Sequence, residues 1–243
     1  MYRSLVFNYR NSLNFLIHRL EKCTRWEELL NTTNFHISLS RLASAPSSFR
    51  LLNQATKFLV GCNDVEDAES IDKFINTAAN GRTPLCETIA AVIQEIRIVE
   101  DQLREAGKLA SLIILTDGEP TDGDFLEALK PLADLPVWIV IRLCTNDEKV
   151  VQYWNEIDST IEFNIEVLAD LNEEAVEVFT RNSWLTYSEP FHRLREFGIS
   201  LKEMDMLDEV PLSLEQIALI CSIMLAQVQL LDFRPKVIFF VML

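Results

Sequence analysis

Glycine and proline are scarce in this chain of 243 residues, at 6 and 8. Neither gathers into a run, so no flexible linker and no low-complexity segment divides the sequence. The cysteines, Cys23, Cys62, Cys86, Cys144 and Cys221, are odd in number, widely spaced and without a Cys-x-x-Cys pair. That pattern argues against zinc and against a disulfide framework, and it points to a reducing compartment. Long apolar runs are missing too. The most apolar late stretch, 217–226, falls short of the about 20 residues a membrane helix needs, and extending it N-terminally meets Glu215. The first twenty residues carry Arg3, Arg10 and Arg19 in place of the uninterrupted apolar core of a signal peptide. A cytoplasmic protein without a membrane partner is therefore expected. Positive charge is in deficit: 22 Lys and Arg against 37 Asp and Glu leave a formal charge of −15. Such a surface repels phosphate backbones, so no nucleic-acid partner is expected.

What is present is a rhythm of strands and helices. Residues 25–42 read as a helix, 49–52 as a short strand opened by the turn Ala45-Pro46-Ser47, and 71–77 as a short helix. Thr83-Pro84 opens a long helix reaching about Ala106, with threonine as N-cap, proline as first helical residue and Gly107 as the stop. Leu109–Leu115 and Val137–Leu143 are apolar on both alternating positions, as strands buried on both faces of a parallel sheet are. Helices are expected over 124–133, 148–158 and 172–180, with an edge strand at 165–168. This alternation predicts an α/β fold with a doubly wound, mostly parallel sheet flanked by helices. Ligands of such sheets bind at the carboxyl ends of the strands. Both Asp117, after the strand Leu109–Leu115, and the loop holding Thr83 belong to that edge. Beyond residue 183, helices are expected at 192–197 and 213–231, followed by the β-prone tail 237–243 (VIFFVML).

Two segments carry candidate chemistry: Gly81-Arg82-Thr83-Pro84-Leu85, a turn ending in a hydroxyl, and Leu112–Asp122 (LIILTDGEPTD), a buried strand ending in a carboxylate. A hydroxyl and a carboxylate on neighbouring loops suit a hard cation such as Mg²⁺, which takes oxygen ligands and keeps several waters. Together with the Trp26 region (TRWEEL) and PSSFRLLN, these segments resemble the von Willebrand factor A (vWA) family, in an intracellular eukaryotic form, over roughly Thr24–Thr180. The resemblance implies a Rossmann-like domain and a metal-ion-dependent adhesion site. It further implies Thr83 as a direct Mg²⁺ ligand, Asp117 as a ligand through water, and a partner protein supplying an acidic side chain to the metal.

The family's first loop, Asp-x-Ser-x-Ser after a central first strand, has no counterpart before Trp26. The nearest approximation, Asn8-Tyr9-Arg10-Asn11-Ser12, keeps only the final serine and places an arginine where a ligand belongs. Either the chain starts downstream of that loop, as a truncated product without function would, or it is a degenerate member that binds partners with weak or no Mg²⁺. The missing strand leaves a gap in the sheet, and the two β-prone terminal runs, 4–9 and 237–243, are candidates to fill it. The expected organisation is a divergent segment 1–23, a vWA-like domain 24–182, and a C-terminal helical extension 183–243 with an apolar tail.

A binding module, not an enzyme, is the expectation. The rival, a metal-dependent phosphohydrolase using Asp117, lacks G-x-x-x-x-G-K-[ST], G-x-S-x-G and a paired Asp-x-Asp after an early strand. Glu119, Asp122 and the acids of 64–69 read as solvated loop carboxylates. His18, His36 and His192 read as isolated residues, and the four tryptophans as packing residues.

Overall fold

The structure is a computed structural model. It describes residues 16–53, 57–61, 71, 76, 81–145, 147–160, 165–199, 201–224 and 237–242, together with 3–10; over 3–23 the backbone alone is described. The expected acids of 64–69 and nearly all of the expected helix 71–77 lie outside the described residues, as do positions 225–231 of the helix expected over 213–231.

The protein is α/β. A hairpin of β1 (Arg3–Arg10) and β2 (Leu16–Cys23) forms its own antiparallel pair. The main sheet holds β3 (Ser47–Leu51), β4 (Lys57–Val60), β5 (Ala110–Thr116), β6 (Val137–Leu143), β7 (Ile165–Leu168) and β8 (Val237–Met242). The helices are α1 (Arg25–Ala43), α2 (Leu85–Glu105), α3 (Phe125–Leu129), α4 (Glu148–Thr160), α5 (Leu171–Arg181), α6 (Glu189–Glu196), α7 (Lys202–Glu209) and α8 (Leu214–Met224). The six strands lie in the order β4-β3-β8-β5-β6-β7, and only the β3–β4 pair is antiparallel. This is the doubly wound, Rossmann-like arrangement.

The centre of the sheet is filled by the far end of the chain. Strand β8 runs parallel between β3 and β5, with Phe240 opposite Phe49 on one side and Ile113 on the other. Of the two terminal runs, the tail takes this place, and residues 4–9 belong to the separate hairpin. The tail can do so because it is apolar on both faces. Phe239 and Val241 enter one core cluster, while Ile238, Phe240 and Met242 enter the other. Phe240 stacks on Phe49 with ring centroids 4.2 Å apart, and Phe49 stacks in turn on Phe58 at 5.1 Å. Backbone bonds from Ile238 N to Pro46 O and from Leu52 N to Met242 O fasten both ends of β8 to the flanks of β3.

The period of two sorts β5 in the same way. Leu112 and Ile114 face α2, α3 and α4; Ile113 and Leu115 face α1 and the helices beyond residue 185. Side chains from Leu185 to Ile223 share one cluster with Leu29 and Ile37 of α1 and with Phe240. The segment after α6 comes closest to the sheet at Gly198, whose carbonyl accepts from Ser111 Oγ at 2.8 Å. Its φ of +72° and the 2.7 Å separation between a built Cβ and that oxygen admit glycine alone.

Local signals explain the helix ends. Thr24 and Glu27 form a reciprocal capping box that starts α1. Gly107, at φ +59°, follows α2 in the left-handed conformation that ends helices. The helix expected over 124–133 breaks into α3 and one 3₁₀ turn, Lys130–Leu132. Pro131 has no N–H to donate back into α3, so the α ladder stops there. Among the described residues no helix is long and apolar enough to cross a membrane.

Candidate functional site

The carboxyl edge of the sheet is built by the loops after β5 and before α2, and they are laced together. Thr83 N donates to Thr121 Oγ1 at 3.1 Å, and Thr121 N donates back to Thr83 O at 2.9 Å. Asp122 reaches across the gap: its two carboxylate oxygens accept from Cys86 N at 3.1 Å and Glu87 N at 2.8 Å. Those are first-turn amides of α2, the donors a helix leaves unpaired. Partial burial raises the Asp122 pKa, but the Glu87 and Cys86 amides outweigh it and the net shift is downward.

Two expectations change here. The N-cap of α2 is Pro84, which makes no side-chain capping bond, and the threonine hydroxyl does not serve as the cap. Asp122, expected as a solvated loop acid, does the capping from a different loop. A carboxylate held by two amides outcompetes a neutral hydroxyl for a helix end.

Thr83 and Asp117 therefore lie on adjoining loops of one edge, Thr83 partly buried through its backbone bonds and Asp117 at the end of β5. Asp117 has a partner the sequence did not suggest. Arg25, the first residue of α1, places Nη1 3.3 Å from Asp117 Oδ2. Both side chains are about one-third exposed, at 30% and 37%. The Thr24-x-x-Glu27 capping box was the available signal: it fixes where α1 begins, and hence where the Arg25 side chain emerges.

The Mg²⁺ that the resemblance implies does not fit these residues. A guanidinium at Asp117 brings positive charge to the place a cation would take, and no Asp-x-Ser-x-Ser supplies the remaining oxygens. Among the described residues, the one carboxylate group with metal-like spacing is Glu174, Glu177 and Asp208, which includes neither Thr83's neighbours nor Asp117. Beside this edge, Cys86 has its pKa pushed up to about 11 by burial and by the neighbouring Asp122 and Asp124 carboxylates.

The second concentration of charge is buried between the sheet and helices α1, α5, α6 and α7. Glu196, fully buried, accepts from Arg142 Nε and Arg193 Nη1, each at 2.7 Å. His36 and His192 bring Nε2 to 3.4 and 3.3 Å of its two oxygens, contacts too poorly aligned to count as hydrogen bonds. Arg142 also donates to Glu28 at 2.7 Å. Burial alone pushes the Glu196 pKa up, but Arg193 and the His192 contact hold it well below the ordinary carboxylate range. Burial lowers both imidazoles, His192 to about 4, so they are neutral at pH 7. Alongside, Arg195 donates to Glu166 at 2.6 Å, Glu174 at 2.7 Å and Asp208 at 3.1 Å. His36 and His192, expected to be isolated, thus share one buried carboxylate. Only the i,i+4 spacing of His192 and Glu196 hints at this locally; Glu28 and His36 on α1 and Arg142 on β6 lie far along the chain from Glu196.

No family model, no curated protein and no solved structure matches this chain.

Proposed function

We propose that the chain is a protein-binding module of the vWA type that works at the carboxyl edge of its sheet without a metal ion. The observation that carries the reading is the Arg25–Asp117 pair: a tethered guanidinium stands against the carboxylate where the family's site would hold its cation. Two further facts support it. Strand β8 fills the central position that a vWA sheet requires and that the sequence before Trp26 does not provide. Among the described residues, Asp122 is committed to capping α2, and His36 and His192 are buried away from Asp117, which leaves the rival hydrolase without support. Arg25 then has the role of the bridging cation. Its guanidinium, still about one-third exposed, offers a forked donor to a carboxylate on the partner.

The test is a selection of peptides from a displayed random library in EDTA. Carboxylate-bearing peptides should be enriched on the native chain and lost on an Arg25→Glu variant that melts normally. Enrichment that requires Mg²⁺, or that survives the charge reversal, contradicts the proposal. Hydrolysis of p-nitrophenyl phosphate that vanishes in Asp117→Ala would restore the rival.

A further inference from the structure

The loop 81–84 also borders an open cleft of about 640 Å³ between the end of β3 and the first turns of α2. Neither Thr83 nor Asp117 lines it. Its walls bring together Arg50, Lys57, Arg82 and Asn53, with Pro84 and Thr88 from the start of α2. In a chain of charge −15 this convergence of three cations runs against the composition.

The cations are not neutralised one for one. Arg50 uses only Nη2, which donates to both oxygens of Glu95 at 3.0 Å, and Lys57 Nζ takes the same carboxylate at 2.8 Å. One acid thus serves two bases. Burial pushes its pKa up, but Lys57 and Arg50 overcome that and lower it. Arg50 Nε is buried without a hydrogen-bond partner, and Arg82 is exposed with no ion pair among the described residues. Glu87 also lines the cleft and removes part of the excess. Among the described residues, even counting it with Glu95, three positive charges face two negative ones. The cleft lies at the carboxyl end of β3, beside the first residue of the antiparallel β4, on the side where open α/β sheets take ligands.

We infer that this cleft is a binding site for a small molecule carrying a phosphate-class oxyanion, held by Arg82, Lys57 and the unused donors of Arg50. Forked guanidinium donors suit the flat array of oxygens on such a group. The net negative field of the whole chain disfavours long polyanions but is screened within about 10 Å at moderate salt, so a compact ligand at close range is the class that fits. The site does not depend on Arg25 or Asp117, so it stands or falls separately from the proposed protein-binding edge.

The experiment is a titration of the full chain with inorganic phosphate against sodium chloride at matched ionic strength, followed by thermal melting and by amide chemical shifts. Native protein should show a saturable rise in melting temperature, with shifts confined to 50–57 and 81–88. Arg82→Gln, an exposed substitution that leaves the unliganded melt unchanged, should weaken phosphate by about tenfold, the usual scale of one charge-assisted hydrogen bond. The remote Arg181→Gln should leave it unaltered. No saturable response beyond chloride overturns the inference, as does equal phosphate affinity in native and Arg82→Gln protein.

Discussion

The two faces of the central sheet are built from opposite materials. The face covered by α2, α3 and α4 is almost wholly aliphatic and aromatic, from Leu85, Ile89 and Val92 to Ile139, Ile141 and Trp154. The face covered by α1 and by α5, α6, α7 and α8 buries Glu28, His36, Arg142, Glu166, Glu174, His192, Arg193, Arg195 and Glu196 within an otherwise apolar layer. An aliphatic face tolerates repacking so long as volume and pattern are kept. A buried ionic face does not, because removing one member strands the charge of another. The same pair of groups, arginine and carboxylate, does different work at the carboxyl edge. There Arg25 and Asp117 are exposed enough to be screened, so their link is weak and open to a competing partner.

The largest effect is expected from the strand common to both faces. Removing residues 236–243 takes out β8 and leaves β3 and β5 with unpaired central edges, so cooperative thermal unfolding should disappear. An unchanged melting curve would sink the account of the sheet. Next, Arg142→Met should destabilise the chain by about 3–5 kcal/mol in urea unfolding, because Glu196 and Glu28 lose a buried partner. On the aliphatic face, the volume-conserving Ile141→Leu should cost under about 1.5 kcal/mol. Equal costs at the two positions would erase the contrast between the faces.

The ionic face also predicts a pH dependence. Burial raises the folded pKa of Asp205 to about 7 and of Glu174 to about 8. An acid raised in the fold binds more protons folded than unfolded. Its contribution is present at low pH and is lost as pH climbs through the folded value. The melting temperature should therefore fall between about pH 6.5 and 8, and Asp205→Asn should flatten that fall. His192, lowered to about 4, acts with the opposite sign between about pH 4 and 6.5, where the unfolded chain takes up the proton, so it opposes the acids there and leaves the fall above pH 6.5 to them. A flat profile from pH 6.5 to 8 contradicts the assignment. The smallest effect belongs to the edge: Arg25→Ala should change stability by less than about 1 kcal/mol, while abolishing selection of carboxylate peptides.

What the sequence disclosed follows the same division. Strands β5 and β6 were legible because a two-sided apolar run such as VWIVIRL has few other uses, and α2 because Pro84 and Gly107 bracket it. The occupant of the gap in the sheet was narrowed to two terminal runs, 4–9 and 237–243, by their β-prone composition. Choosing between them needed pairing partners more than 120 residues away, which no local pattern encodes. Thr83 and Asp117 could be assigned to one edge from the alternation of elements. Arg25 and Asp122 were missed as participants because their roles arise only when loops distant in sequence are brought together. The burial of His36 beside Glu196 was hidden for the same reason, whereas His192 and Glu196, four residues apart on α6, were a local pair whose burial no local pattern announced.

The central claim, an edge site whose cation is a tethered arginine, is tested most directly by thermal melts of the native chain and of Asp117→Ala in EDTA and in millimolar Mg²⁺ or Mn²⁺. A metal that binds only the folded chain raises its stability in proportion to occupancy. Coincident melting curves for the native chain with and without metal are the predicted result. A saturable metal-dependent rise that Asp117→Ala removes would contradict the claim.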